Sequence, residues 1–366
     1  MSGFISVSGA VLMAGVALNS IAHAQVSSEA AAAAKFIPGL AAEIVEAAKK
    51  EGTVTLYAGQ MGQGQFDAFK KAVPFVKIDY VQLPAGQLLA RFEAEKQAGL
   101  NQVDLFMSPE AGFMPMFKRG WCEAYRSVAD ARFSTAAKPG AGAYRVGAAP
   151  FGFMFSPSRT DSALVADLKT WKGAFTSEKL KGKRLGVVNP TPGSATAYAL
   201  ETLYANYDGS SMWGTQRGLV SAVNIYASAA PTSSALIAGE LDIAGVVILG
   251  PAGDLLASGA PIGWVAPEPL VMAPFAGCIA TNPPHPNAAK VLWEFLLSDA
   301  GQIAQAPQLI SVKSGVDIDS GMPDFIKKQP WYTPLNTSQL LEAPEETRMK
   351  ISPTALADWQ NIFAKK

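Results

Sequence analysis

The segment Thr191-Pro192-Gly193-Ser194-Ala195-Thr196 combines residue types that suit anion capture. Gly193 permits close backbone approach, Ser194 can cap a helix, and the first-turn N–H groups of a helix have no partner inside it. The positive end of the helix dipole adds about 0.3 to 1 kcal/mol for a negative group placed there. The same segment also reads as an ordinary helix cap with no ligand. Three other short stretches follow apolar runs: Gln60-Met61-Gly62, Ser108-Pro109-Glu110 and Leu249-Gly250-Pro251. Ligands of open α/β sheets sit beyond the strand ends, where helix N-termini point their free N–H groups. These four turns are therefore the candidate binding residues. Met61, Phe151, Phe153 and Leu249 would make one side of such a site apolar or aromatic, which favours a small organic anion over an inorganic one. Glu110 would repel an anion. It suits an amine or hydroxyl of a zwitterionic ligand, or the first turn of a helix starting at Ala111.

Other chemistry is poorly supplied. Two His and two Cys leave little for a zinc site, and no metal ligand set or cofactor is expected. There is no Walker A sequence and no G-x-S-x-G, so any ATP hydrolysis belongs to another chain. His285 is the sole histidine after residue 24, so a Ser–His or Cys–His dyad would have to use it. It precedes Pro286 at a predicted helix start, where a structural role is the expectation. Cys122, after Trp121, is the one imaginable nucleophile, and a structural thiol or a Cys122–Cys278 disulfide is its alternative. The sequence does not place the two Cα atoms within bonding range.

Thirty Lys+Arg against 30 Asp+Glu give a formal net charge of zero, which argues against a nucleic-acid partner. A hydrophobic fraction of 49% over 366 residues excludes a disordered chain and exceeds what one ordinary core needs. Residues 1–24 read as a signal peptide: an uncharged apolar stretch from Phe4 to Leu18, then Ala22-His23-Ala24 and Gln25. No Lys or Arg precedes the apolar run, which departs from the usual pattern. The expectation is cleavage after Ala24 and an exported, soluble protein, in a compartment that permits a disulfide.

The elements that must position these residues alternate. Leu40, Ile44, Val45 and Ala48 recur at helical spacing up to Gly52, and Thr53 to Tyr57 is β-branched and aromatic. A helix with Phe66, Phe69 and Ala72, a strand from Val76 to Gln82, a helix over roughly Ala85 to Ala98 and a strand from Val103 to Met107 follow. The aromatic segment Val146 to Phe155 reads as a crossing between lobes. A second unit repeats the alternation: strand Leu185 to Val188, helix Ser194 to Tyr204, strand Asn224 to Tyr226, helix Thr232 to Ala238 and strand Leu241 to Leu249. Pro267 to Ala280 looks like a return crossing. Helices over Ala288 to Leu297 and Ile303 to Gln305 follow, and the remainder to Phe363 is predicted helical with Pro-rich joints. The pattern predicts mostly parallel sheets covered by helices.

Several stretches in this order resemble a known family. They are Glu46-Ala47-Ala48-Lys49-Lys50-Glu51-Gly52, Val103-Asp104-Leu105-Phe106-Met107-Ser108, Leu168-Lys169-Thr170-Trp171, Lys181-Gly182-Lys183 and Gly239-Glu240-Leu241-Asp242-Ile243-Ala244. The last are His285-Pro286-Asn287-Ala288-Ala289-Lys290, Phe295-Leu296-Leu297-Ser298 and Gly301-Gln302. They resemble the substrate-binding proteins of bacterial ABC importers, in the branch of ferric-ion and related extracellular solute-binding proteins. The resemblance implies a type II two-lobed periplasmic-binding-protein fold with two crossing strands as hinge and a helical C-terminal region. On that plan residues 25–147 are the first lobe, 148–156 the first crossing, 157–266 the second lobe and 267–281 the second crossing. Residues 282–366 return to the first lobe and add the C-terminal helices. Implied partners are a small-molecule ligand, an inner-membrane permease and its ATPase, with the receptor a monomer that does no catalysis. The matching loop of the family, here Thr191 to Thr196, holds an anion. Its ferric members bind iron through two adjacent tyrosines, a histidine and a carboxylate. Those positions fall here on Leu249, Gly250, Met61 and Glu110, a set that disfavours direct iron binding and leaves an iron or iron-chelate receptor as the second reading.

Overall fold

The computed structural model describes residues 27–59 and 61–363. The expected signal peptide and its cleavage site lie outside the described residues. No helix among the described residues is long and apolar enough to cross a membrane.

Nine strands are present among the described residues: β1 (Thr53–Ala58), β2 (Lys77–Gln82), β3 (Leu105–Pro109), β4 (Tyr144–Phe155), β5 (Arg184–Val188), β6 (Ala222–Tyr226), β7 (Ile243–Ile248), β8 (Gly263–Val265) and β9 (Met272–Ile279). Their order is β2-β1-β3-β9-β4-β7-β5-β6, with β8 beside β4. The order has the same design from either end. β1 runs parallel to β2 and β3, β5 runs parallel to β6 and β7, and each trio is closed by one antiparallel strand, β9 or β4. Parallel neighbours need a crossover, and helices supply it in both trios. Their β7 reads as a nearly continuous buried run, as a strand covered on both faces should.

β4 and β9 join the two halves. Tyr144 to Pro150 of β4 pairs with β9, whereas Phe151 to Phe155 pairs with β7 and β8. Each half has its own core. Val54, Leu56, Phe69, Leu105, Trp293 and Phe295 fill the first lobe. Phe153, Trp171, Phe175, Leu185 and Trp213 fill the second, each large side chain contributing about 1.5–3 kcal/mol by its burial.

Buried acidic residues lock the strand entries. Asp104, fully buried just before β3, accepts hydrogen bonds from the Thr55 N–H of β1 (2.7 Å) and from the His285 N–H (2.7 Å), and its Oδ2 lies 2.9 Å from His285 Nδ1. Asp242, at the matching place before β7, accepts from the Arg184 N–H of β5 (2.8 Å), Arg184 Nη2 (2.7 Å) and Arg159 Nε (3.0 Å). Glu51 accepts from the N–H groups of Asn287 (3.0 Å) and Ala288 (2.7 Å), satisfying the start of the helix Pro286–Leu297. His285 therefore has a structural partner at that helix start.

The C-terminal region differs from the sequence expectation. Between Gln305 and Pro344 the chain makes only the short helices Ile318–Gly321 and Asp324–Lys327, because Pro307, Pro323, Pro330, Pro334 and Pro344 interrupt it. The terminal helix Glu345–Phe363 packs on the second lobe through Ala355, Trp359 and Phe363. The helix Gly209–Leu219 was not anticipated, because its three glycines and two serines hide the helical period. Trp213 carries its packing instead.

Candidate functional site

A cleft of about 600 Å³ lies where the C-terminal ends of the two parallel trios face each other. Six strand-to-helix junctions supply most of it, those after β1, β2, β3, β5, β6 and β7, and Phe275 and Gln308 complete the lining. Helix N-termini from both lobes are thereby directed at one space, a consequence of strand direction rather than of any single residue. The residues Val188 to Thr196 after β5, Ser228 to Ala230 after β6 and Gln82 to Gly86 after β2 contribute much of the wall.

The best-formed anion site is the start of the helix Ala195–Asn206. Gly193 adopts φ +78°, a left-handed turn that L side chains resist, and this brings Ser194 to the cap position. Ser194 Oγ accepts from the Ala197 N–H at 3.1 Å. The Tyr198 N–H reaches the Ser194 carbonyl, so the N–H groups of Ala195 and Thr196 are left without an acceptor among the described residues. Both residues line the cleft.

The structure sorts the other sequence candidates. Met61 lines the cleft with Ser194, Ala195 and Thr196. Gly62 starts the helix Gln63–Ala72 and lies against the Gln308 side chain, which a Cβ there would meet at 2.7 Å. Gln60 lies outside the described residues. Ser108 is fully buried and its hydroxyl donates to the Pro109 carbonyl (3.1 Å). Glu110 does begin a helix, but its carboxylate pairs with Arg145 and faces a separate cavity of about 370 Å³ with Tyr198, Glu342 and Arg348.

Phe151 and Phe153 are fully buried in the second-lobe core, and Leu249 turns toward another cavity. Two positions apart on a strand, the two phenylalanines share one face, yet β4 is buried on both faces there. Gly250 is buried, with its carbonyl 3.4 Å from Gln308 Nε2. Of the four residues expected to form an apolar wall, Met61 alone lies in the cleft. Leu83, Val188, Val246, Val247, Ile248 and Phe275 form that wall instead.

Asn189, Asp254 and Gln308 are among the cleft residues that the sequence did not reveal. Asn189 follows β5 directly and was open to the same strand-end rule. Asp254 lies one turn into the helix Leu249–Ala257, and Gln308 arrives from a Pro-flanked stretch far along the chain. Gln308 Nε2 donates to Asp254 Oδ1 at 2.8 Å. Burial pushes the Asp254 carboxyl above its ordinary value, and the Gln308 hydrogen bond opposes that shift. Cys122 and Cys278 form a disulfide with Cα atoms 5.7 Å apart, which leaves no thiol for nucleophilic chemistry.

Residues 65–306 match the family model described as bacterial extracellular solute-binding protein. No curated protein is significantly similar in sequence. Among solved structures, the fold is similar to the substrate-binding protein of an ABC transporter from Agrobacterium tumefaciens, with a TM-score of 0.66 at 16% identity, covering 84% of this chain and 94% of that one. Iron-bound HitA from Pseudomonas aeruginosa gives 0.62 at 17% identity, covering 85% and 99%. AfuA from Actinobacillus pleuropneumoniae, with fructose-6-phosphate bound, gives 0.61 at 17% identity, covering 86% and 100%. At these identities the likeness is one of fold.

Proposed function

The chain belongs to the bacterial extracellular solute-binding proteins, and from that premise we propose that it is the periplasmic receptor of an ABC importer for a small organic anion. It would be exported by cleavage after Ala24, close its lobes on the solute as a monomer, and present the solute to a permease powered by a separate ATPase. The observation that carries the anion reading is the pair of acceptor-free N–H groups at Ala195 and Thr196, open to the cleft at a capped helix start. Ser194, Ala195, Thr196 and Met61 are the contacts assigned. Backbone contacts at Gly62 and Gly193, and roles for Gln60, Ser108 and Gly250, belong to the same reading as supports around them. Ferric-ion capture wants several anionic oxygen donors, and the described lining offers Asp254 alone. An iron chelate, which brings its own donors, is the second reading; the solved neighbour HitA is described as iron-bound.

The test is a thermal-shift and calorimetric screen of residues 25–366 with phosphate, phosphate esters, carboxylates, amino acids and ferric citrate, with and without chelator. A ligand at 100 times its Kd stabilises the folded state by about 2.7 kcal/mol, a readable change in midpoint. Ser194→Asp brings a carboxylate to the anion position and is expected to abolish binding of the active anion while the free protein keeps its fold. Unchanged affinity in that variant would overturn the assignment. A response to ferric salts alone, lost on chelation, would overturn the organic-anion reading.

A further inference from the structure

The cleft wall has one ionisable side chain among its described residues, and it is acidic. Asp254 shares the lining with Gln82, Asn189, Thr191, Ser194, Thr196 and Ser228, and no Lys, Arg or His is among the described lining residues. Asp254 takes part in no ion pair among the described residues. Its Oδ1 accepts from Gln308 Nε2 at 2.8 Å, and its Oδ2 has no hydrogen-bond donor among them. Gln308 also packs against Gly62 of the first lobe, so the residue that donates to this carboxylate is itself in contact with the helix start after β1. A purely anionic solute would enter this space against an uncompensated negative charge, with only helix N-termini in its favour.

We propose that Asp254 receives a cationic group of the solute, so that the ligand is a zwitterion with its anionic end on the Ala195–Thr196 backbone and an ammonium at Asp254. This rests on the anion reading above and adds the second pole of the ligand. The pairing explains two features together. The acidic side chain stands in an anion receptor because it selects the amine-bearing members of the class, and Gln308 leaves one carboxylate oxygen open because the ligand's N–H donors complete it.

Calorimetry on residues 25–366 with matched probes separates the two poles. The series are ω-amino acids from β-alanine to 6-aminohexanoate, the corresponding alkanoates, 4-hydroxybutyrate, O-phosphoethanolamine and ethyl phosphate. Within at least one matched set the amine-bearing probe is expected to bind at least tenfold more tightly than its amine-free or hydroxy partner. Asp254→Asn retains an acceptor for Gln308 and is expected to bring the members of that set within about twofold of each other. Ser194→Asp should remove binding of all of them. An amine-free anion or hydroxy analogue that binds wild-type protein as tightly as the amine overturns the zwitterion assignment and leaves the anion reading standing. So does amine preference that survives in Asp254→Asn. Butylamine serves as the control with no anionic group, and its binding to wild-type protein, undiminished in Ser194→Asp, overturns the anion reading instead. No response to any amine-bearing probe also overturns the zwitterion proposal.

Discussion

Three of the stretches on which the family resemblance rests carry an acidic residue that accepts backbone hydrogen bonds from another element: Glu51, Asp104 and Asp242. Asp242 is 6% exposed. Burial works against its charge, but hydrogen bonds and charges from Arg184, with a further hydrogen bond from Arg159, more than offset this and hold the carboxyl below its ordinary value. A native value below the unfolded one, near 3.9, means the contribution to stability is fully present above that pH and is lost as pH falls through the lowered native value. Asp242→Asn is therefore expected to lower stability at pH 7 and to flatten the acid limb of a stability-versus-pH curve measured by urea unfolding. Asp242→Ala, which also strands two partly exposed guanidinium groups, should cost about 2–3 kcal/mol. An acid limb identical to wild type in Asp242→Asn would show that this carboxylate is not linked to folding. His285 belongs to the same scale: its bond to Asp104 at the helix start gives it a packing role remote from the cleft.

At the scale of elements, the disulfide ties β9 to the segment that leaves the helix Glu110–Lys118, where Cys122 also forms a β-bridge with Ala280. It closes a sequence separation of 156 residues and so restricts the unfolded chain. Replacing both cysteines by alanine should cost about 2–5 kcal/mol, a fall of roughly 5–15 °C in thermal midpoint. Ligand affinity should stay within about twofold, because Phe275, the β9 residue that lines the cleft, is three residues from Cys278 and on the opposite face of that strand. A midpoint unchanged by the double substitution, or by reduction of the wild-type protein, would show that the bridge adds no stability. The helix Pro286–Leu297 illustrates the same dependence on distant partners, since its first N–H groups are satisfied by Glu51 from a different helix.

At the scale of the molecule, β4 and β9 each pair with strands of both lobes or run beside the strand that does, and any closing rotation must bend them. The lobes touch at Gly112, in the helix Glu110–Lys118, and at the Gly193 turn. A Cβ on Gly112 would lie 3.4 Å from the Gly193 carbonyl oxygen and 3.2 Å from Ala85 Cβ. Gly112→Leu should therefore prop the lobes apart. In small-angle scattering, wild-type protein with saturating ligand is expected to contract, whereas Gly112→Leu should not contract and should bind at least tenfold more weakly. Contraction and affinity equal to wild type would show that closure does not use this contact. The free variant's melting temperature reports separately on crowding against Ala85 within the first lobe.

The alternation of strands and helices was legible because period and turn chemistry are local properties: Thr53 to Tyr57, Leu185 to Val188 and the Gly193-Ser194 cap needed no distant partner to be recognised. The same locality exposed the anion-binding turn, since the orphan N–H groups of a helix start follow from the helix itself. Which side chains face the cleft was decided elsewhere. Phe151 and Phe153 look like cleft aromatics until β4 acquires neighbours on both faces, and Glu110 looks like a ligand contact until Arg145 arrives from another element. Asp254 and Gln308 carry no signal in the chain because their meeting requires both lobes, and the pairing of Cys122 with Cys278 requires β9 to lie beside β3. Residue order determined the helices, the strands and the capped turn through short-range sterics and hydrogen bonding. Tertiary structure determined the charge in the cleft, because electrostatic pairing depends on distances that only the packed chain defines.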